Sequence, residues 1–254
     1  MRRPAFDAWA PFWDDSYDPA PYVAFYRSVV GQGTRSVLDL GCGSGTITTE
    51  LARGVAERSG GVKTRVVGVD ESPEMLRVAA ERDPGIEWVR GDLRSPPVDG
   101  HFDLVTCCYN TLQHLHSDDD LVQAFTAVRG RLAPAGVYAF DVSQPNLDWL
   151  GRAERDLLVR EITDGEGRRL ELREDRFYDP ESLILTTDWR LLERGSGDGQ
   201  PVARIRHELR QFFSEDLERG LATAGLAIRE RYGDLDRSPF TAGSRRQVLV
   251  CGAN

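Results

Sequence analysis

Short apolar runs separated by amphipathic stretches set the pattern of this chain. Apolar residues stand together at 37–40, 66–69, 102–108 and 137–142, with little of the alternation that a half-exposed strand shows. A further short strand is expected at 86–90, so the first half of the chain predicts parallel strands buried on both faces and joined by helices. Between 144 and 213 the rhythm changes to alternation, as in Leu183-Ile184-Leu185-Thr186-Thr187-Asp188-Trp189. Turn residues at Asp164-Gly165-Glu166-Gly167, Tyr178-Asp179-Pro180-Glu181 and Gly195-Ser196-Gly197-Asp198-Gly199 divide it into strands at 157–163, 169–177, 183–192 and 202–212. Such a meander cannot extend a parallel sheet by short connections. It is expected as an accessory antiparallel layer, serving as a substrate lid, as a dimer surface or only as structure. Ser214-Glu215-Asp216-Leu217 then opens a helix with a capping serine, ending at Ala224-Gly225, and strands at 227–232 and 247–251 close the chain.

The first two strands end in unusual ways. One runs through Asp39 into Gly41, Gly43 and Gly45; the next stops at Asp70. Alternating glycines permit a tight turn and a close approach of backbone to a ligand, and an acid closing the next strand can accept from both hydroxyls of a ribose. The pair predicts an adenosine-containing ligand. The dinucleotide fingerprint is Gly-x-Gly-x-x-Gly and faces a pyrophosphate, whereas here the spacing is Gly-x-Gly-x-Gly with Asp39 two residues before it. A carboxylate beside a pyrophosphate is repelled, and beside an ammonium or sulfonium it is favourable. The sign of Asp39 therefore points to S-adenosylmethionine and away from a nicotinamide-dependent oxidoreductase.

With these motifs the chain resembles the class I S-adenosylmethionine-dependent methyltransferases, over residues 35–143 in motif and to the C-terminus in element order. The resemblance implies an α/β fold: a Rossmann-like, doubly wound sheet of seven strands, the last antiparallel, with the meander inserted as a β lid. It divides the chain into an N-terminal aromatic-rich helical cap (1–34), a cofactor-binding core (35–143), the inserted subdomain (144–213) and a C-terminal completion of the sheet (214–254). Leu132-Ala133-Pro134-Ala135-Gly136 matches the family's turn before the fifth strand with one glycine replaced, and one residue of that turn is expected at positive φ. The cofactor contacts implied are Asp39, Gly41, Cys42, Gly43 and Gly45 at the methionine end, Asp70 and Glu71 at the ribose, and Asp92, Leu93 and Met75 at adenine, with Cys107 beside them.

Chemistry in such a site is in-line displacement of the methyl group, for which alignment contributes most and a base is not obligatory. Amino-sugar and related amine methyltransferases, which the segment from Tyr109 to His116 resembles in outline, carry a histidine after the fourth strand. His114 is the expected catalytic residue, ahead of His116, which adjoins Asp118-Asp119-Asp120. Tyr109, Asn110, Arg237 and Phe240 are the expected substrate contacts. Phe6-Asp7 and Trp13-Asp14 match a Tyr-Asp pattern that opens many small-molecule methyltransferases; without those hydroxyls, Tyr17 becomes the expected polar contact to the cofactor.

Composition narrows the partners. The net charge of −9 lacks the basic field that phosphate backbones require, and no base-methylating Asn/Asp-Pro-Pro-Tyr/Phe tetrapeptide follows the fourth strand. A small-molecule substrate is expected, with no nucleic acid and no membrane. The 4 cysteines lack metal-like spacing, and no metal site is expected. Paired arginines near the N-terminus have no apolar stretch behind them, which leaves the cytoplasm as the expected location. The reading is a small-molecule methyltransferase, N-methylation of an amine first and O-methylation of a hydroxylated metabolite second. A cyclase or binding module that keeps the cofactor is the alternative.

Overall fold

The computed structural model describes residues 6–195 and 199–254; residues 1–5 and the centre of the third expected turn, 196–198, lie outside the described residues. Strands β1 (Ser36–Leu40), β2 (Arg65–Asp70), β3 (Glu87–Arg90), β4 (Phe102–Cys107) and β5 (Leu132–Ser143) form the parallel part of one sheet. The accessory strands are β6 (Glu154–Thr163), β7 (Arg169–Asp179), β8 (Ile184–Glu193) and β9 (Ala203–Arg210), and β10 (Leu226–Tyr232) and β11 (Arg246–Ala253) return to the first sheet. That sheet has seven strands in the order β3-β2-β1-β4-β5-β11-β10, with β11 antiparallel to both neighbours. The second sheet has four antiparallel strands in chain order.

Burial on both faces follows from side-chain alternation. Val37, Val66 and Leu104 join the core beneath α1 (Ala20–Ser28) and α2 (Thr46–Ser59), while Leu38, Val67 and Val105 point into the core opposite. That opposite core contains Leu121 and Phe125 of α4 (Asp118–Arg131) and Leu217 and Leu221 of α6 (Ser214–Thr223). Helix α3 (Pro73–Arg82) packs beside β3, capped by the Ser72 hydroxyl, which accepts from the Met75 amide at 3.2 Å. A single turn, α5 (Leu147–Leu150), leads into the accessory sheet. Strand order reverses direction between β1 and β4, which places a crevice at their C-terminal ends.

Three local expectations change. The Leu132-to-Gly136 turn lies within the bounds of β5: Phe102 pairs with Leu132 and Leu104 with Val137, so residues 133–136 bulge between paired positions. Neither Ala135 nor Gly136 has positive φ. Gly136 is there for room, since a Cβ would sit 2.9 Å from the Ala133 carbonyl oxygen. Helix α6 is capped not by Ser214 but by Asp216, whose carboxylate accepts from the Phe213 amide at 3.0 Å; the Ser214 hydroxyl donates instead to Gln247 Oε1. Lastly, the aromatic N-terminal segment forms two single-turn 3₁₀ helices, Ala10–Phe12 and Asp14–Ser16, before α1. Pro11, Pro19 and Pro21 interrupt any longer helix.

The N-terminal segment and one buried side chain are among the ties between the two sheets. Trp9, fully buried, packs into Ile162, Leu170, Leu172, Leu191 and Ile205 of the accessory sheet. Gln113 Nε2 donates to the Arg210 carbonyl at 3.0 Å and its Oε1 accepts from the Ser143 amide at 3.2 Å, so one amide holds both the exit and the return of the insertion.

Candidate active site

At the crevice the glycine turn is built as its spacing predicts. Gly41, Gly43 and Gly45 have φ of +70°, +53° and +79°, a region that favours glycine, and Gly45 passes directly into α2. Asp70 closes β2 beside them: Oδ2 accepts from the Gly43 amide at 2.9 Å and Oδ1 from the Ser72 amide at 2.8 Å. Burial pushes its carboxyl above the usual range. Asp39, 1% exposed, lies under the turn, where Oδ2 accepts from Thr48 Oγ1 at 2.6 Å and Oδ1 from Thr106 Oγ1 at 2.7 Å. Burial raises its pKa to about 6, and the hydrogen bonds oppose that rise.

These groups line a pocket of about 290 Å³, near the lower end of the size range of small-molecule sites. Leu93, Met75 and Glu71 line it, together with Phe6, Trp13, Tyr17, Tyr109, Thr111 and His114. Its charged walls are Asp39, Asp70 and Glu71, with no lysine or arginine. Such a lining suits a cationic ligand and opposes a pyrophosphate, so the residues present fit S-adenosylmethionine.

The N-terminal segment roofs this pocket, and its paired motifs split their labour. Phe6 and Trp13 face the cavity, while the acid after each docks on a helix start. Asp7 Oδ1 accepts from Ser72 Oγ at 2.6 Å, before α3; Asp14 Oδ1 accepts from Ser44 Oγ and Thr46 Oγ1, both at 2.7 Å, at the start of α2. Arg82 also pairs with Asp14. Tyr17 stands between Trp13 and Tyr109, whose ring centre is 4.5 Å away. Both phenols are held protonated by burial, Tyr109 at about 12.

Tyr109 and Asn110 both adopt positive φ, 58° and 61°. The backbone turn is held from below by Asp141, fully buried, which accepts from the Tyr109 amide at 2.9 Å, from Tyr26 OH at 2.7 Å and from Arg246 at 3.2 Å. His114 follows on a 3₁₀ turn, Thr111–His114. Its ring lies on the cavity wall, exposed on that side, with Phe6 edge-on at 5.3 Å and His207 of β9 at 6.1 Å. Burial, then nearby His116, lowers its pKa to about 4. His116 itself turns to the Glu208 carbonyl of β9.

Several expected site residues lie elsewhere. Cys107 belongs to the core on the opposite face of the sheet; its neighbour Cys108 lines the pocket, because successive residues of β4 alternate faces. Asp92 is not on the pocket wall, since both its oxygens accept from Arg94. Asn110 is absent from the wall and its Oδ1 accepts from Ser143 Oγ at 3.2 Å. Arg237 folds over Phe25 and Tyr232, and Phe240 lies under Arg231, both away from the cavity. Thr111, Cys108 and the buried His207 were not singled out in the sequence, where nothing but adjacency to the fourth strand marked the first two.

Residues 37–136 match a family described as a methyltransferase domain. Cypemycin N-terminal methyltransferase of a Streptomyces species is 32% identical over 232 residues, 90% of this chain and 86% of that protein. A dTDP-3-amino-3,6-dideoxy-alpha-D-glucopyranose N,N-dimethyltransferase of Streptomyces fradiae is 30% identical over 76% of this chain and 70% of that protein. The chain spans about half the length of another curated relative, the putative methyltransferase YqeM of Bacillus subtilis, with 55% of it covered. The fold is that of the CcbJ methyltransferase from Streptomyces caelestis, with a TM-score of 0.78 at 23% identity over 99% of this chain and 98% of that one. Agreement with a named methyltransferase across nearly its whole length settles the family: the chain belongs to the class I S-adenosylmethionine-dependent methyltransferases.

Proposed function

We propose that this enzyme methylates the amine of a small molecule. The observation that carries the reading is His114, an imidazole kept neutral on the wall of the acid-lined pocket among aromatic rings. When bound, S-adenosylmethionine supplies a methyl group on a positively charged sulfur, already activated for displacement. Asp70 would hold the ribose hydroxyls, Asp39 and the Gly41–Gly43 main chain would face the methionine end, and Leu93 and Met75 would flank the base. The faces of Trp13, Tyr17 and Tyr109 attract a cation by roughly 0.5–2 kcal/mol each and exclude water.

With its pKa near 4, His114 is a far weaker base than an amine and does not strip a proton from an ammonium. It accepts a hydrogen bond from an amine that arrives neutral and aims the lone pair, and the methylated product leaves as an ammonium that gives up its proton to solvent. Two of the relatives described above, at 32% and 30% identity over most of this chain, are named for methylating an amino terminus and an amino sugar, which supports nitrogen over oxygen as acceptor. We read residues 144–213 as the cover of the acceptor end.

The test is transfer from isotopically labelled S-adenosylmethionine to a panel of amino sugars, dipeptides with free amino termini, and phenols. Labelled amine products are expected; labelling of phenols alone would overturn the reading. In the same assay His114→Ala lowers kcat by about a hundredfold or more while S-adenosylhomocysteine binds as before. Unchanged kcat would remove His114 from the reaction.

A further inference from the structure

Across the rings of Tyr17 and Tyr109 from the cofactor pocket lies a second cavity, of about 450 Å³, which the reaction described above does not use. It carries charges of both signs, but they are not equally free. Asp18 and Asp236 accept from the backbone amides of Ala20 at 3.0 Å and Ser238 at 2.9 Å; Asp234 accepts from the Leu235 amide at 2.9 Å and pairs with Arg246 at 3.5 Å. Arg246 is further neutralised by buried Asp141. Two cations remain. Arg160 donates only to the Asp15 carbonyl, at 3.3 Å, and Arg245 makes no side-chain hydrogen bond or ion pair among the described residues.

At the inner end of the cavity Arg246 and Arg160 act on the Tyr109 hydroxyl in one sense and buried Asp141 in the other. The wall there also holds Tyr22, 4% exposed, whose hydroxyl has no hydrogen-bond partner. An unpartnered donor that shares the cavity wall with two guanidiniums free of carboxylates offers contacts to an oxyanion, and guanidinium forks match two oxygens at once.

We propose that this second cavity binds an anionic group of the methyl acceptor, a phosphate or a carboxylate, through Arg160 and Arg245, while the acceptor's amine reaches the cofactor pocket past Tyr109. The proposal rests on the methyltransferase reading of the first pocket and adds the chemical class of the acceptor. It also explains why the two cavities share a wall: the acceptor is anchored on one side and reacts on the other.

Calorimetry of the full chain tests it, with the protein first saturated with S-adenosylhomocysteine and then titrated with inorganic pyrophosphate or with succinate. Saturable binding of one of these is expected, weakened tenfold or more by Arg160→Ala and by Arg245→Ala and less by Arg245→Lys. Affinity for S-adenosylhomocysteine should stay within about twofold throughout. Tighter binding of pyrophosphate assigns a phosphate, and tighter binding of succinate a carboxylate. Binding of neither anion to the loaded protein, or binding that both alanine variants leave unchanged, overturns the proposal while the cofactor site stands. Failure of the wild type to bind S-adenosylhomocysteine would strike the cofactor reading itself and this one with it.

Discussion

Asp70 is the residue on which cofactor recognition turns, because its carboxylate both pins the Gly43 amide and faces the pocket. Hydrogen bonds to charged groups contribute roughly 1.5–3 kcal/mol each, so Asp70→Ala is expected to weaken S-adenosylhomocysteine by on the order of a hundredfold or more, read by calorimetry. An affinity close to wild type would take Asp70 out of the site. His207 makes a different kind of prediction. It is buried, its Nε2 lies 2.8 Å from Thr187 Oγ1, and burial first and His114 second lower its pKa from 6.5 to about 3. The unfolded chain takes up a proton near pH 6.5 that the folded chain refuses, so this stability is complete above that pH and is lost as pH falls toward 3. Asp39 acts in the opposite sense between 3.8 and about 6, where the folded state keeps a proton that the unfolded chain has released. Replacing His207 by Gln should therefore flatten the fall in Tm between about pH 7 and about pH 4.5; an unaltered slope would show that other groups set it.

At the scale of elements, the glycine turn needs space as well as backbone freedom. A Cβ on Gly68, in the middle of β2, would lie 2.5 Å from the Trp88 ring and 3.0 Å from Cys42 Sγ. Gly68→Ala should cost about 1–3 kcal/mol and lower Tm by several degrees, and a Tm equal to wild type would show that Trp88 yields freely. The sheet and the glycine turn at the end of β1 were legible in the sequence because burial on both faces leaves short apolar runs and because glycine alternation is rare by chance. What the sequence did not disclose depends on registers and on partners distant along the chain. Cys107 and Cys108 are indistinguishable by type, and only the pleat decides which one reaches the cavity. Asp92 is followed two residues later by the arginine that occupies it, and no spacing rule distinguishes that arginine from a solvated one. Arg237 and Phe240 lay in a connector whose path is set by stacking on Phe25 and Arg231.

For the molecule as a whole, the N-terminal segment is a strap. Trp9 fixes it to the accessory sheet, and Asp7 and Asp14 fix it to the two helices that flank the pocket. Trp9→Ala should cost about 3–5 kcal/mol if the strap is integral to the fold, and should weaken S-adenosylhomocysteine as the roof loosens. Loss of stability with full affinity would separate the strap from binding. Among the described residues no helix is long and apolar enough to cross a membrane.

The insertion leaves and re-enters the core within reach of one glutamine, Gln113, the residue immediately before His114. A relative's insertion grafted between Ser143 and Arg210 would meet the same amide at both seams, but it would also have to receive Trp9 and replace the bonds that Arg210 makes to His116 and Asp118. An exchange of the insertion therefore changes the surroundings of His114 as well, because His207 of β9 stands 6.1 Å from its ring.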